Sequence, residues 1–325
     1  MTVLVTGAAG FVGSHFARVA HDAGLSVIAL DDLSTSIRWP DLPEAIEQIV
    51  GDVADRALVA QLVTDRHVDA IVHFAGRIRV DESMRDPALY FEQNLTRTIA
   101  LLDAATSALS SRPLSFVLSS SAAVYGQAER SPIVELAPLR PISPYGASKL
   151  AAEIVLESYA RVRGVRWAAL RYFNASGAHP DGSLRERHDP ETHLIPLAID
   201  AAFGNRPALV VHGDDYATRD GTCVRDYVHV MDLADAHLAA LSALDRGAAV
   251  GAVNLGSERG STVKEILAEV AHTARRRVPH EVGPRREGDP AKLVASAGLA
   301  AEKLGWRPRF GLAEVVADAL RSRRA

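Results

Sequence analysis

The chain has 325 residues, enough for a large core and two lobes, and 48% of them are apolar. Its 36 basic and 40 acidic residues leave a formal net charge of -4, which excludes a nucleic-acid or membrane binder that relies on bulk charge. No apolar run is long enough to cross a bilayer, and no charged-then-apolar leader precedes the first expected strand. The single cysteine, Cys223, excludes an internal disulfide and fits a reducing, cytoplasmic setting.

Residues 3–6, Val-Leu-Val-Thr, read as a buried parallel strand that ends at Gly7. Gly7-Ala8-Ala9-Gly10-Phe11-Val12-Gly13 follows, then an apolar-periodic stretch to Ala23 closed by Gly24. The order is strand, glycine turn, helix, glycine stop. Such glycines let the turn bend tightly and bring backbone N–H groups up to a pyrophosphate at a helix N-terminus. A second strand over residues 26–30 ends in Asp31-Asp32, near the spacing of a ribose 2′-hydroxyl acceptor. A carboxylate there repels a 2′-phosphate, which favours NAD over NADP. Taken alone, the glycines fit equally a turn that only packs a helix on a sheet; the acid at the second strand end weighs against that.

The alternation continues. A strand over residues 47–53 ends in Gly51-Asp52-Val53, and a helix starts at Asp55. A strand over 69–76 ends in Phe74-Ala75-Gly76, a helix over 87–109 carries Asn94, and a strand over 115–121 ends in three serines. Ser143-Pro144 then opens a helix stopped by Gly164, and residues 166–174 give a sixth strand. Strands separated by helices of this length predict an α/β fold with a doubly wound parallel Rossmann sheet. Ligands gather at the carboxyl ends of such strands, so Gly7, Asp31, Asp52, Ala75, Ser121 and Asn174 point to one cleft.

On the helix after Ser143, Tyr145 and Lys149 are four residues apart and share a face. A cation beside the phenol is expected to pull its pKa down from about 10 and make Tyr145 a usable proton acceptor. The same spacing is common on solvated helix faces, so the pair gains meaning only from the nucleotide turn that accompanies it.

Beyond Asn174 the texture changes. Residues 178–191 and 214–225 read as loop, with a helix over 195–203 and a short strand over 209–211 between them. A helix over 226–244, a strand over 251–256 returning to the main sheet, and amphipathic helices over 263–273 and 312–320 complete the chain. Residues 1–175, with 226–257 returning, are the expected nucleotide-binding part. Residues 176–325, mainly 176–225 and 258–325, are the expected smaller, interleaved α/β lobe. His188 and His193, five apart in a loop, are a poor metal signature, and no metal is expected. The basic clusters at 275–277 and 321–324 read as solvated surface.

Six stretches carry a family resemblance. Three are Val-Thr-Gly-Ala-Ala-Gly-Phe-Val-Gly-Ser-His (5–15), Ser-Ser-Ser-Ala-Ala-Val-Tyr-Gly (119–126) and Ser-Pro-Tyr-Gly-Ala-Ser-Lys (143–149). The others are Leu-Arg-Tyr-Phe-Asn (170–174), the run from Gly213 through Arg225-Asp226-Tyr227 to Ala234, and Arg-Arg-Glu-Gly-Asp (285–289). Together they resemble the extended short-chain dehydrogenase/reductase superfamily and, within it, the UDP-galactose (UDP-glucose) 4-epimerases. The resemblance implies bound NAD, a UDP-sugar substrate, and a homodimer joined through the helices near 87–109 and 143–163.

It also implies roles for residues. Tyr145 would take the proton of the sugar 4-hydroxyl, Lys149 would lower the phenol pKa and bond the nicotinamide ribose, and Ser121 would hold the 4-oxygen. Cofactor contacts would come from Gly7, Gly10, Phe11, Val12 and Gly13, from Asp31, Asp32 and Leu33, and from Asp52 and Val53. Phe74, Ala75, Gly76, Asn94, Ser119, Tyr172 and Phe173 would complete that set. Arg225 and Arg286 match diphosphate contacts, Asn174 and His193-Leu194 match contacts to sugar and diphosphate, and Asp289 matches a uridine ribose contact. Val210 to His212 would border the uracil, with His212 standing where Phe or Tyr is often found. Leu293 falls where a small residue opens the pocket to N-acetyl sugars and Tyr closes it, which favours the glucose/galactose pair. Ile78 replaces a Lys often found after the Phe-Ala-Gly strand, with Arg77 or Arg79 as possible substitutes, and Asp81 occupies a position commonly Gly.

Sugar-nucleotide dehydratases share the Tyr/Lys pair but need an acid and a base beside the serine, and Ala122-Ala123 supply neither. Epimerases of UDP-glucuronate, UDP-xylose or a UDP-N-acetylhexosamine share the same catalytic groups and stay open. A catalytically silent NAD sensor would typically lack the Tyr or the Lys.

Overall fold

Short β-branched runs and glycine stops produce the predicted alternation in a computed structural model, which describes residues 1–36, 38–109, 113–188, 190–286 and 290–324. β1 (Thr2–Thr6) leads into α1 (Phe11–Asp22), β2 (Ser26–Asp31), β3 (Glu47–Val50), α2 (Arg56–Asp65) and β4 (Ala70–His73). Next come α3 (Val80–Arg85), α4 (Pro87–Phe91), one π-helical turn (Glu92–Thr96) and α5 (Arg97–Ala108). β5 (Ser115–Ser121) runs into a 3-10 turn (Ala122–Tyr125), and α6 (Pro144–Arg163), β6 (Arg166–Tyr172) and β7 (Asn174–Ser176) follow. α7 (Leu194–Phe203), β8 (Leu209–His212), β9 (Val224–Arg225), β10 (Tyr227–His229), α8 (Val230–Asp245) and β11 (Gly251–Leu255) come next. β12 (Ser261–Thr262), α9 (Val263–Ala274), β13 (His280–Gly283), β14 (Lys292–Leu293), α10 (Gly298–Leu304) and α11 (Leu312–Arg324) complete the chain.

Seven strands form the central sheet in the order β11-β6-β5-β4-β1-β2-β3, every pair parallel. Alternation along β1 sends Val3 and Val5 to one face with Phe16 and Leu233, and Leu4 to the other with Ile71 and Phe116. Both faces are covered by helices, which explains why the inner strands read as continuous apolar runs. A third cluster, including Ile199, Val211, Val270 and Val316, joins α7, β8, α9 and α11 away from the sheet. No helix among the described residues is long and apolar enough to cross a membrane.

Local chemistry sets the helix that carries Tyr145. Ser143 Oγ accepts the Gly146 N–H at 3.1 Å, Pro144 occupies the first turn, and Gly164 ends the helix at φ 70°.

Four expectations about elements change. The single helix over 87–109 is interrupted by the π turn at Glu92–Thr96, and α3 precedes it. The strand over 166–174 ends at Tyr172, where the chain leaves the main sheet and pairs Asn174 with Tyr227 in β7 and β10. The helix expected from Asp226 therefore begins at Val230. The loop over 214–225 ends in β9, which pairs with both β12 and β14. These small strands find partners far along the chain, so no local period marks them.

Candidate active site

The glycine turn after β1 is sterically required. Gly7 has φ +68°, and a Cβ there would lie 2.4 Å from the Ala75 nitrogen. One on Gly13 would lie 2.2 Å from the Gly7 oxygen. Gly10 caps α1 without a side chain, so the first-turn N–H groups at Phe11, Val12 and Gly13 present the positive helix end unblocked. Buried Asp31 accepts from the Ala9 N–H at 2.9 Å and the Leu33 N–H at 2.8 Å, tying the turn to the end of β2. Burial raises its pKa. Leu33 sits at φ 57°, a left-handed conformation that a leucine rarely holds away from a functional loop. Arg97 stands 3.6 Å from Asp32 and 2.7 Å from Asp52, and Val53 is buried beside them. Unblocked helix N–H groups next to an inward carboxylate form a donor and acceptor set that fits a dinucleotide.

Asn94 joins the next strand end to α6. Gly76, at φ +151°, would place a Cβ 2.6 Å from Asn94 Oδ1. Asn94 Oδ1 accepts the Arg77 N–H at 2.7 Å, and its Nδ2 donates to the Arg77 carbonyl and Ser148 Oγ, each at 3.0 Å. Ser148 Oγ in turn donates to the Tyr145 carbonyl at 2.8 Å. Asn94 lies in the π turn, a distortion often found at functional sites. Phe74 packs against Phe16 and the His237 ring. Ile78 is 44% exposed, and both candidate substitutes are occupied: Arg77 pairs with Glu82 at 3.7 Å and Arg79 with Asp81 at 2.8 Å.

Ser121 and Tyr145 do meet, and Lys149 is anchored on the same strand end at Ser119. The Tyr145 phenol is hydrogen-bonded to the Ser121 side chain, and Ser121 Oγ also accepts the Ala123 N–H at 3.2 Å. Lys149 is only 3% exposed and donates from Nζ to the Ser119 carbonyl at 3.0 Å. Burial lowers its pKa to about 8, against the opposing pull of the Glu153 carboxylate. The expected depression of the phenol pKa is corrected. Burial pushes Tyr145 up, and the Ser121 bond offsets this only in part. Ser119 Oγ is bonded to the Tyr172 hydroxyl, which burial likewise raises.

Behind this trio lies a buried polar group absent from the sequence expectations. Arg171 Nη2 meets Glu153 Oε2 at 2.6 Å, and its Nη1 donates to the Tyr125 hydroxyl at 2.9 Å. Tyr125 donates to Asn254 Oδ1 at 2.7 Å, and Ser120 bonds Glu153. The group clamps β5, α6, β6 and β11 together. Glu153, four residues past Lys149 on an inward face, was its one readable signal.

The second lobe supplies the remaining candidates. Asn174 Nδ2 donates to the Asp226 carbonyl at 2.8 Å. Arg225 donates to the Pro290 carbonyl at 2.8 Å and pairs in register with Leu293, which packs with Phe173 against Tyr125 and Ile133. β8 pairs His212 with Gly283, three residues before exposed Arg286, and Val210 is 53% exposed on the same ribbon. His193 caps α7 ahead of Leu194, and the Glu186 and Glu191 carboxylates raise its pKa to about 10 despite burial. Asp289 lies outside the described residues.

A family model described as GDP-mannose 4,6 dehydratase matches residues 4–319. A UDP-glucose 4-epimerase of Lacticaseibacillus casei is 44% identical over 310 residues, covering 95% of this chain and 92% of that protein. The crystal structure of UDP-glucose 4-epimerase from Brucella ovis in complex with NAD has a TM-score of 0.93 at 44% identity, covering 98% of this chain and 97% of that one. The Bifidobacterium longum enzyme in complex with NAD+ and UDP has a TM-score of 0.90 at 34% identity, covering 100% and 98%. The chain belongs to the UDP-glucose 4-epimerase family, NAD-dependent isomerases of UDP-sugars within the extended short-chain dehydrogenases/reductases.

Proposed function

We propose that the chain interconverts UDP-glucose and UDP-galactose through a transient 4-keto sugar, with Tyr145 accepting and returning the proton of the 4-hydroxyl. The contact that carries this reading is the Tyr145–Ser121 hydrogen bond beside the buried Lys149. Ser121 holds the 4-oxygen and shares its proton with the phenol. Lys149, its direction fixed by the Ser119 carbonyl, would bond the nicotinamide ribose.

The turn from Gly7 to Gly13, with Asp31, Asp32, Leu33, Asp52 and Val53, would hold the cofactor on one side. Phe74, Ala75, Gly76, Asn94, Ser119, Tyr172 and Phe173 would hold it on the other. When bound, NAD+ supplies the hydride acceptor and donor at C4. Ala122 and Ala123 leave the 4-keto sugar without an acid or base to expel water, so reversal at C4 is the reaction open to it.

Arg225 and Arg286 offer guanidinium forks suited to the diphosphate, alongside Asn174, His193 and Leu194. Val210 to His212 would border the uracil, and Asp289 the uridine ribose. On this reading residues 1–175 with 226–257 bind NAD, and the remainder of 176–325 binds the UDP-sugar. Two copies would join through α4, α5 and α6, where Phe91 and the 57%-exposed Ile154 present apolar surface. The single free cysteine fits a cytoplasmic enzyme. The test is incubation with several UDP-sugars and identification of the products by NMR. UDP-galactose should form from UDP-glucose; conversion of UDP-glucuronate but not UDP-glucose would overturn the substrate assignment.

A further inference from the structure

The loop before α7 gathers four side chains that the chemistry above does not use as a group. Glu186, His188, Glu191 and His193 each present one ligand atom, and these atoms all lie within 4.8 Å of one another. Glu186 Oε1 is 3.0 Å from His188 Nδ1 and 2.7 Å from His193 Nδ1. Glu191 Oε1 is 3.1 Å from His193 Nδ1. The spacing of the two histidines gave no metal signal because it does not include the glutamates, which the folded loop brings in.

Geometry and charge both fit a small dication. Four ligands at about 2.0–2.1 Å from a tetrahedral ion stand roughly 3.3 Å from one another. The observed separations bracket that value, so modest side-chain rotations reach it. Two imidazole nitrogens and two carboxylate oxygens suit zinc better than magnesium or calcium, which take mainly oxygen. Two carboxylates exactly offset a dication bound by neutral imidazoles, and the Glu186 side chain is only 7% exposed, where an uncompensated charge is costly.

Two further observations agree. His188 Nδ1 is buried and, despite its distance from Glu186, makes no well-directed hydrogen bond among the described residues. Arg323 approaches Glu191 only through Oε2, at 3.7 Å, while Oε1 accepts the Thr192 and His193 N–H groups at 2.8 and 2.9 Å, which hold it beside His193 Nδ1.

We propose that Glu186, His188, Glu191 and His193 form a zinc site that fastens the segment carrying Glu186 and His188 to the start of α7. The site does not depend on which UDP-sugar the enzyme turns over.

Tag-free, chelator-treated protein titrated with Zn2+ alone, with bound metal counted by atomic emission, tests it. One zinc per chain should bind, and the unfolding temperature should rise with it. His188→Ala and Glu186→Gln should each weaken binding at least about 100-fold, beyond what loss of an outer-sphere partner costs. His272→Ala, on the exposed side of α9, should leave binding unchanged. Circular dichroism checks that each variant is folded. Co2+ in the unaltered protein adds a readout that needs no variant, since a tetrahedral site gives strong visible absorption. Substoichiometric zinc, zinc binding that both folded variants retain, or cobalt with only weak octahedral absorption would each overturn the site.

Discussion

Burial pushes Tyr145 and Lys149 toward their neutral forms, so the charge each needs is present in only part of the pH range. Lys149 has its pKa lowered to about 8; its ammonium is present below that pH and lost above it. The pH profile of kcat should therefore fall above about pH 8, as the Lys149 ammonium is lost. Lys149→Met should lower kcat by about 100-fold and abolish the descending limb. A wild-type profile flat well past pH 8 would show that Lys149 charge does not limit the reaction. Leu293 governs a different quantity. If it walls the sugar pocket beside Arg225, Leu293→Ser should raise kcat/KM for UDP-N-acetylglucosamine by about 10-fold, the scale of a few methylenes in an apolar pocket. No gain in competition assays would place the wall elsewhere. The Tyr, Lys and Ser were readable because each sits in a short local motif. The direction of the phenol shift was not, since it depends on how deeply the fold buries the ring.

The buried ion pair of Glu153 and Arg171 ties α6 to β6 directly behind Ser121, Tyr145 and Lys149. Removing one charge strands the other in the core. Glu153→Gln should lower stability by about 3–5 kcal/mol in urea unfolding, whereas a loss under about 1 kcal/mol would mean that the pair is already well solvated. The Rossmann elements around it were legible from glycine stops, strand-length apolar runs and the Ser143-Pro144 cap, all of them local. The π turn that carries Asn94 was not, because residues 87–109 have an uninterrupted helical pattern and only the contacts to Arg77 and Ser148 reveal the distortion. β7 with β10, and β9 with β12 and β14, escaped notice for a related reason. Two or three residues are too few to show a period, and Asp226 fixes this junction through Ser257 and Ala295, remote in sequence.

Among the buried histidines, His15, His73 and His237 give the molecule a common acid sensitivity. Burial lowers the pKa of His15 and His73 to about 3 and of His237 to about 4. His73 is held between the hydroxyls of Thr6 at 2.7 Å and Thr98 at 2.9 Å, within the central sheet and its helices. Each folded pKa lies below the unfolded value of 6.5, so the unfolded chain takes up these protons first. Stability is full above 6.5 and falls as pH drops toward 3–4, by roughly 2 kcal/mol per histidine at about pH 5. Thermal unfolding near pH 7.5 and near pH 5 should show this loss, with His237→Leu losing less than wild type. An identical pH dependence in that variant would contradict the buried, neutral His237.

The most direct test of the epimerase mechanism is kcat for conversion of UDP-galactose to UDP-glucose in the wild type and in Tyr145→Phe, with bound NAD measured in both. The account predicts a loss of about 10³-fold in the variant with NAD content unchanged. A variant within a few-fold of wild type would show that Tyr145 does not carry the proton.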